Sequence, residues 1–295
     1  MEPTIMIIST RNGMKYARKI GKEIFNQGGH YRLSTVDSIL NIYGKCPEGE
    51  TLVHSRVAYP YIHGAIWLAN LVTLKSPIIN EPQTLMLTSN KLACNRKLKN
   101  IPLIPVVESQ PFKDFVQEER LDSADIFMRL LRMYEQVVIK PIVSSGGKNV
   151  FLFDKTSYPF FRRFLEAERA ETYFVQPYIP LMAMRRVIVI DGVAMDIGFE
   201  DTRNPNDDWK LSVCMNPNIK VCALTKQEKS IAERVQKAVG GVINFIDLMI
   251  AEKDGRVLVS EVNTSCNLSR HDRLVGGAIT SSIASCLIRK AKELL

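Results

Sequence analysis

The chain of 295 residues is 46% hydrophobic and 24% charged, a globular composition with room for two domains or for one enzyme built from subdomains. It has no run of ~18 apolar residues, which speaks against a membrane-spanning helix, and its opening MEPTIMIISTRNG lacks the basic-then-apolar order of a secretion signal, so a cytoplasmic protein with no membrane partner is expected. The net charge of +8 suits either a nucleic-acid surface or basic side chains gathered around a polyanion such as a nucleotide; without a basic tail or RNA-binding signature, the second is favoured.

The first element is a short apolar strand, TIMIIS (4–9), followed by helical spacing over 14–29 that closes on a glycine pair. TLVHSR (51–56) and SPIINEP (76–82) read as strands, with HGAIWLANLVTL between them as a helix. Strands alternating with helices predict an α/β N-terminal unit on a parallel sheet, ending near Pro82. A helix carrying Lys91, Arg96 and Lys97 comes next, then IPLIPVV (101–107) and an acidic helical stretch around 112–134. Two strands flank a glycine loop within 136–153, a helix follows over 157–169, and a strand over 172–179. RRVIVIDGVAMDIG and WKLSVC read as strands, 226–239 as a helix, INFIDLMIAEKDGRVLVSEVN as a hairpin, and the stretch from 276 onwards as a last helix.

The six cysteines (Cys46, Cys94, Cys214, Cys222, Cys266, Cys286) form no CxxC pair and suit reduced thiols rather than a disulfide frame or zinc site. The four histidines (His30, His54, His63, His271) show no ligand spacing and read as solvated or core residues.

The hairpin carries the strongest chemical signal. A two-residue Asp254–Gly255 turn would set Lys253 opposite Arg256, two like charges. A three-residue loop with Gly255 left-handed sets Glu252 opposite Arg256 instead, and is preferred. In that register Asp247 faces Glu261, with Asn263 further along the same face. Facing carboxylates destabilise a ladder by roughly 0.2–1 kcal/mol unless a cation sits between them. Hard oxygen donors in this number suit Mg²⁺, while the plainer reading is a solvated polar face.

KPIVSSGGKNV (140–150) places small residues between strands, where backbone N–H groups can approach phosphate; it has neither the Walker A order nor the helix of a dinucleotide fingerprint. Lys140 ends the apolar run VVIK, and Arg186 heads VIVI with Arg185 pointing the other way. Charges at such positions need partners or a route to solvent.

The order Lys140, glycine loop, Gln176-Pro-Tyr178-Ile179, Arg186, Asp247, Glu261, Asn263 resembles the ATP-grasp superfamily, most closely its RimK-like carboxylate–amine ligases. The resemblance runs over nearly the whole chain, through LVHSRVAYPYIHGAIWLANL, PIINEPQTLMLTSNKLACNRKLKNIPLIPVV and DLMIAEKDGRVLVSEVNTS, the last being its most specific part. It implies an α/β ATP-grasp fold, with a pre-ATP-grasp domain over 1–84 and two α+β subdomains enclosing the nucleotide, 85–179 with the glycine loop and 180–295 with the metal site.

It further implies that Lys91 and Lys140 contact ATP phosphates, that Ser145, Gly146, Gly147 and Lys148 fold over them, and that Gln176, Tyr178 and Ile179 hold adenine. Arg186 and Lys210 would lie at the transferred phosphate, Asp247, Glu261 and Asn263 would hold Mg²⁺ or Mn²⁺, and Arg56 would face the carboxylate substrate. Three positions depart from the family: Met184 stands where an acidic residue often contacts ribose, Gln176 where Glu is common, and Ser212 where Asn is usual. The implied reaction passes phosphate from ATP to a carboxylate, giving an acyl phosphate that an amine attacks, with a small molecule or peptide supplying the acid. A kinase of the inositol-phosphate type and a basic binding protein with an idle nucleotide site are the alternatives; a homo-oligomer is compatible with either.

Overall fold

The computed structural model describes residues 2–36, 52–56, 77–116, 122–144, 146–202, 209–213, 216 and 218–295. At the N-terminus, β1 (Thr4–Ser9) is buried along almost its whole length, as its unbroken apolar sequence requires. Helix α1 (Met14–Asn26) lays Tyr16, Ala17, Ile20 and Ile24 against it. Strands β2 (His30–Thr35), β3 (Leu52–Arg56) and β4 (Ile78–Ile79) complete a parallel sheet in the order β2-β1-β3-β4. The expected parallel α/β unit is therefore present, with the strand expected over 76–82 reduced to two residues. Strand β2, HYRLST, escaped the sequence reading because an edge strand needs no apolar run; none of its residues is fully buried. The helix expected in HGAIWLANLVTL lies outside the described residues.

The helix expected to carry Lys91, Arg96 and Lys97 is present as α3 (Lys91–Lys99), preceded by a helix the sequence reading did not name, α2 (Pro82–Ser89). Asn90 breaks them apart: its Oδ1 accepts the Ala93 N–H at 2.8 Å and caps α3. Strand β5 (Gln110–Pro111), helices α4 (Lys113–Val116) and α5 (Ser123–Tyr134), strands β6 (Val137–Pro141) and β7 (Phe151–Phe153), helix α6 (Tyr158–Ala167) and strand β8 (Tyr173–Pro177) follow. They form an antiparallel sheet ordered β5-β8-β6-β7 over a core of Phe112, Phe127, Phe153, Phe161 and Phe164. Val137 and Ile139 enter that core, so Val138 and Lys140 must face the other way.

The third sheet is antiparallel, ordered β12-β11-β9-β13-β14 with β10 paired to β9. Its strands are β9 (Leu181–Ile190), β10 (Val193–Ala194), β11 (Ile197–Thr202), β12 (Lys220–Ala223), β13 (Ile243–Ala251) and β14 (Val257–Asn263). Helix α7 (Lys226–Val239) starts at a reciprocal cap, in which Thr225 Oγ1 accepts the Glu228 N–H at 3.2 Å and Glu228 Oε2 accepts the Thr225 N–H at 2.8 Å. Helices α8 (Ser269–Leu274) and α9 (Ala278–Lys292) close the chain. Strand β13 is buried on both faces: Ile243 and Phe245 pack with Ile279 and Ile283 of α9, Ile246 and Leu248 with Ile231 and Val235 of α7.

Two expectations fail here. Residues 209–213 of WKLSVC form no strand; the Ser212 N–H goes to Asp201 Oδ2 at 2.6 Å instead of to a ladder, and the outer strand is β12. The hairpin turn is one residue longer than read: Ala251, not Glu252, faces Arg256, with its N–H on the Arg256 carbonyl at 3.0 Å, and Gly255 is left-handed at φ 66°. A bulge then leaves Ser260 unopposed and shifts the register back, so that Asp247 does face Glu261.

Candidate active site

Four residues form one row across four strands. Phe199 on β11 pairs with Arg186 on β9, Arg186 with Asp247 on β13, and Asp247 with Glu261 on β14. Residues paired this way share a face. Arg186 Nε and Nη2 donate to Asp247 Oδ1 and Oδ2, each at 2.7 Å, with the two residues 2% and 6% exposed. The solvated polar face is thereby ruled out. Asn263, two residues past Glu261, brings its Nδ2 to 3.5 Å from Asp247 Oδ2. Arg185 does point the other way, to Glu200 at 2.6 Å and Glu228 at 2.7 Å.

Opposite this row stands the face of β6 and β8 left free by the aromatic core. Val138 and Gln176 are register partners there, and Lys140 lies two residues beyond Val138. Gln176 Nε2 donates to Ser109 Oγ at 2.7 Å. Lys91, the first residue of α3, sends Nζ to the Ser144 carbonyl at 2.5 Å and lies 3.4 Å from Glu261 Oε1. Burial, reinforced by Lys91 and opposed by Glu261, lowers the Lys140 pKa to about 8. Burial also raises the Glu261 carboxyl, with Asp247 adding to the shift and Lys91 and Arg186 opposing it. Gly146 and Gly147 turn the loop with φ of 66° and 65°, a conformation L side chains rarely adopt.

Between the two sheets lies a cavity of about 560 Å³. It is lined by Lys91, Lys140, Gly146, Gly147, Gln176, Tyr178, Ile179, Arg186, Lys210, Asp247, Glu261 and Asn263. Trp209 stands edge-on to Tyr178 with ring centroids 6.0 Å apart, and Lys210 Nζ lies 5.4 Å from the Trp209 ring centre. Met184 and Met249, register partners, give the cavity an apolar side. Two of the expected residues lie outside the lining. Lys148 is exposed on its turn, and Arg56 sits behind the wall, stacked 4.6 Å over the Tyr16 ring, its Nη2 donating to the Cys266 carbonyl at 2.7 Å. Ser145 lies outside the described residues.

The sequence reading missed one wall. Arg270, His271 and Arg273 of α8 all line the cavity, and His271 packs edge-on against Phe199 with centroids 4.7 Å apart. The available signal was SRHDR, with arginines three apart and hence on one side of a helix.

Could Asp247, Glu261 and Asn263 hold a metal ion? Among the described residues no group of three His, Cys, Asp or Glu side chains does so, but two carboxylates in register with an amide neighbour make a set of hard oxygen donors. Burial, with Asp247 alongside, is what makes Glu261 hold its proton more tightly than usual, and both causes are eased by a cation between the two carboxylates. The donor set fits a divalent cation of the Mg²⁺ kind.

Comparison with known proteins agrees with this geometry. No curated protein matches the chain by sequence. The structure is similar to the ATP-grasp ligase PsnB complexed with a minimal precursor, with TM-score 0.73 at 15% identity over 98% of this chain and 99% of that one. It is similar to the D-cycloserine synthetase DcsG, with TM-score 0.69 at 13% identity over 98% and 99%. The macrocyclase MdnC from Microcystis aeruginosa MRC, bound with precursor peptide MdnA, gives TM-score 0.71 at 11% identity over 97% and 99%. At these identities the likeness establishes the shared ATP-grasp fold. The sequence model of the RimK-like ATP-grasp domain matches residues 88–287, more than half of the chain, and the protein belongs to the RimK-like ATP-grasp family.

Proposed function

We propose that this ADP-forming carbon–nitrogen ligase binds ATP in the 560 Å³ cavity and there converts a carboxylate into an acyl phosphate for an amine to attack. The observation that carries the reading is the meeting of Asp247, Glu261 and Asn263 with Lys91, Lys140 and Arg186 in one cavity. Lys91, Lys140 and the backbone at Gly146 and Gly147 receive the phosphates, with Lys148 on the same turn. Adenine lies against Gln176, Tyr178 and Ile179. Asp247, Glu261 and Asn263 would hold Mg²⁺, which supplies charge neutralisation and orientation for phosphoryl transfer.

The chain's own work is mostly electrostatic. Arg186 and Lys210 offset the charge of the group in transit. A carboxylate oxygen bonds to the γ-phosphorus and ADP departs. The amine nitrogen then bonds to the acyl carbon, the bond to the phosphate oxygen breaks, phosphate leaves with the electron pair, and the nitrogen releases its proton. Arg56 acts from behind, holding the Cys266 carbonyl at the cavity edge. PsnB and MdnC were each solved with a precursor, which favours a peptide as the source of one reacting group. None of the four described cysteines is in a disulfide, in keeping with the cytosol, and no helix among the described residues is long and apolar enough to cross a membrane.

The test is ADP release from ATP and Mg²⁺ across a panel of acids, with hydroxylamine as the trapping amine. Hydroxamate formation identifies an acyl phosphate; ADP release that leaves a stable phosphate ester would identify a kinase.

A further inference from the structure

All five residues from Trp209 to Val213 line the cavity, yet none belongs to a helix or a strand. Packing holds part of this segment: Trp209 stands edge-on to Tyr178, Leu211 joins Leu181, Met249 and Leu258, and Val213 is buried with Phe199. Such contacts fix how deep the segment lies, but they are non-directional and tolerate sliding. Its register is fixed by one acid. The Ser212 N–H donates to Asp201 Oδ2 at 2.6 Å, and Asn216 Nδ2 donates to Asp201 Oδ1. The Asn216 N–H returns to the Ser212 carbonyl at 3.0 Å, so the chain turns around the carboxylate. Asp201 is 4% exposed, and among the described residues no lysine or arginine pairs with it. A carboxylate buried without a cation must be met by N–H donors, and these are the ones it has.

Asp201 does not itself line the cavity. It lies two residues beyond Phe199 on β11, hence on the face that carries the Arg186 row, and its register partner Met184 is a cavity residue. Lys210 stands two residues from the bonded Ser212. Its Nζ lies 5.4 Å from the Trp209 ring centre, and among the described residues no carboxylate pairs with it. A slip of the segment by one residue would carry Lys210 about 3.5 Å along the chain, farther than a direct bond to a phosphate oxygen tolerates.

We propose that Asp201 is a positioning residue for phosphoryl transfer: by holding the Ser212 N–H and the Asn216 amide it sets the register of 209–213, and so places Lys210 against the γ-phosphate of ATP. The proposal rests on the reading above in which Lys210 meets the phosphate in transit. Asp201 touches neither nucleotide nor substrate and acts only through the backbone it holds. An acid facing the phosphates here would repel them; one whose oxygens are spent on N–H groups behind the wall organises a cation instead. The effect is confined to the third phosphate. Lys91 on α3, Lys140 on β6 and the glycine turn belong to other elements, so their hold on the rest of the nucleotide does not depend on Asp201.

The experiment is calorimetric titration of the full chain with Mg²⁺, using ADP and the non-hydrolysable β,γ-imido analogue of ATP in separate runs. Asp201→Ala should weaken the analogue about tenfold, the worth of one hydrogen bond to a charged group, and leave ADP nearly unchanged. Lys210→Met should do the same, and Asp201→Asn, which keeps one acceptor oxygen, should fall between. Adding Asp201→Ala to Lys210→Met should cost nothing further, because both remove the same contact. A merely structural role would weaken both nucleotides alike. Where urea unfolding shows that Asp201→Ala does not fold, Asn216→Ala takes its place; it removes one of the two bonds and should weaken the analogue alone, by a smaller factor. Equal weakening of ADP and the analogue, an undiminished analogue, or the same loss in the Lys210→Met background would each overturn the proposal. A protein that separates the two nucleotides as stated and yet traps no hydroxamate would count against the ligase reading and leave this one standing.

Discussion

Arg186 and Asp247 clasp each other through two 2.7 Å hydrogen bonds between β9 and β13, in a place where water scarcely reaches either group. This pair sets the electrostatics of the cavity floor. It offsets the charge of one of the two facing carboxylates, which answers the repulsion that the strand register creates.

Removing one member leaves the other charged and buried. Arg186→Gln is expected to destabilise the protein by ~3–5 kcal/mol, whereas the double change Arg186→Met with Asp247→Leu should recover most of that loss. Urea unfolding of the three proteins checks this; a double variant no more stable than Arg186→Gln would show that the pair is not what holds the two strands' polar groups in place.

Glu261 is only partly buried and its salt bridge to Lys91 is 3.4 Å long, so its contribution to folding is small. Glu261→Ala should leave the urea midpoint nearly unchanged and lower ATP turnover by about 10²–10³-fold, the range seen when a group that stabilises transition-state charge is lost. Unaltered turnover would remove Glu261 from the metal set.

The lowered pKa of Lys140, about 8, gives nucleotide binding a pH dependence. Below that pH the ammonium is present to meet phosphate; above it the free protein must take up a proton to bind. Affinity for ATP is expected to fall as pH rises past about 8, by up to roughly tenfold per unit, and Lys140→Arg should remove the fall. Calorimetry in two buffers of different ionisation enthalpy would detect the proton taken up.

His54 makes the opposite use of burial. Its Nδ1–H donates to the Ile79 carbonyl at 3.0 Å, and burial, with Arg56 adding to it, lowers its pKa to about 3. The unfolded chain binds a proton from about pH 6.5 downwards while the folded protein resists until about 3, so stability falls with acidification through that window. The slope due to this residue is ~1.4 kcal/mol per pH unit, and His54→Gln should reduce the measured slope by that amount.

How much of this was legible in the sequence depended on whether a local pattern was enough. The apolar run of TIMIIS marked β1, and the turn residues Asp254 and Gly255 marked the hairpin of β13 and β14. Asp247 opposite Glu261 was reached by a turn one residue too short, and the pairing survived because the bulge at Ser260 corrects the register; bulges leave no mark in an apolar alternation. Residues 209–213 look like a strand by composition, but the Ser212 N–H is drawn to Asp201 from a neighbouring strand, a tertiary choice. The bond between Arg186 and Asp247 joins residues 61 apart, and only the strand order brings them together. The α8 wall was hidden for the same reason: SRHDR is an ordinary surface helix until Asp272 anchors it beside the cavity.

The most direct measurement of the central claim is hydroxylamine trapping with ATP, Mg²⁺ and a panel of carboxylates and peptides. The account predicts hydroxamate formed in step with ADP, and both lowered by about 10²–10³-fold in Glu261→Ala. ADP without hydroxamate, in the presence of an acid that stimulates its release, would contradict it.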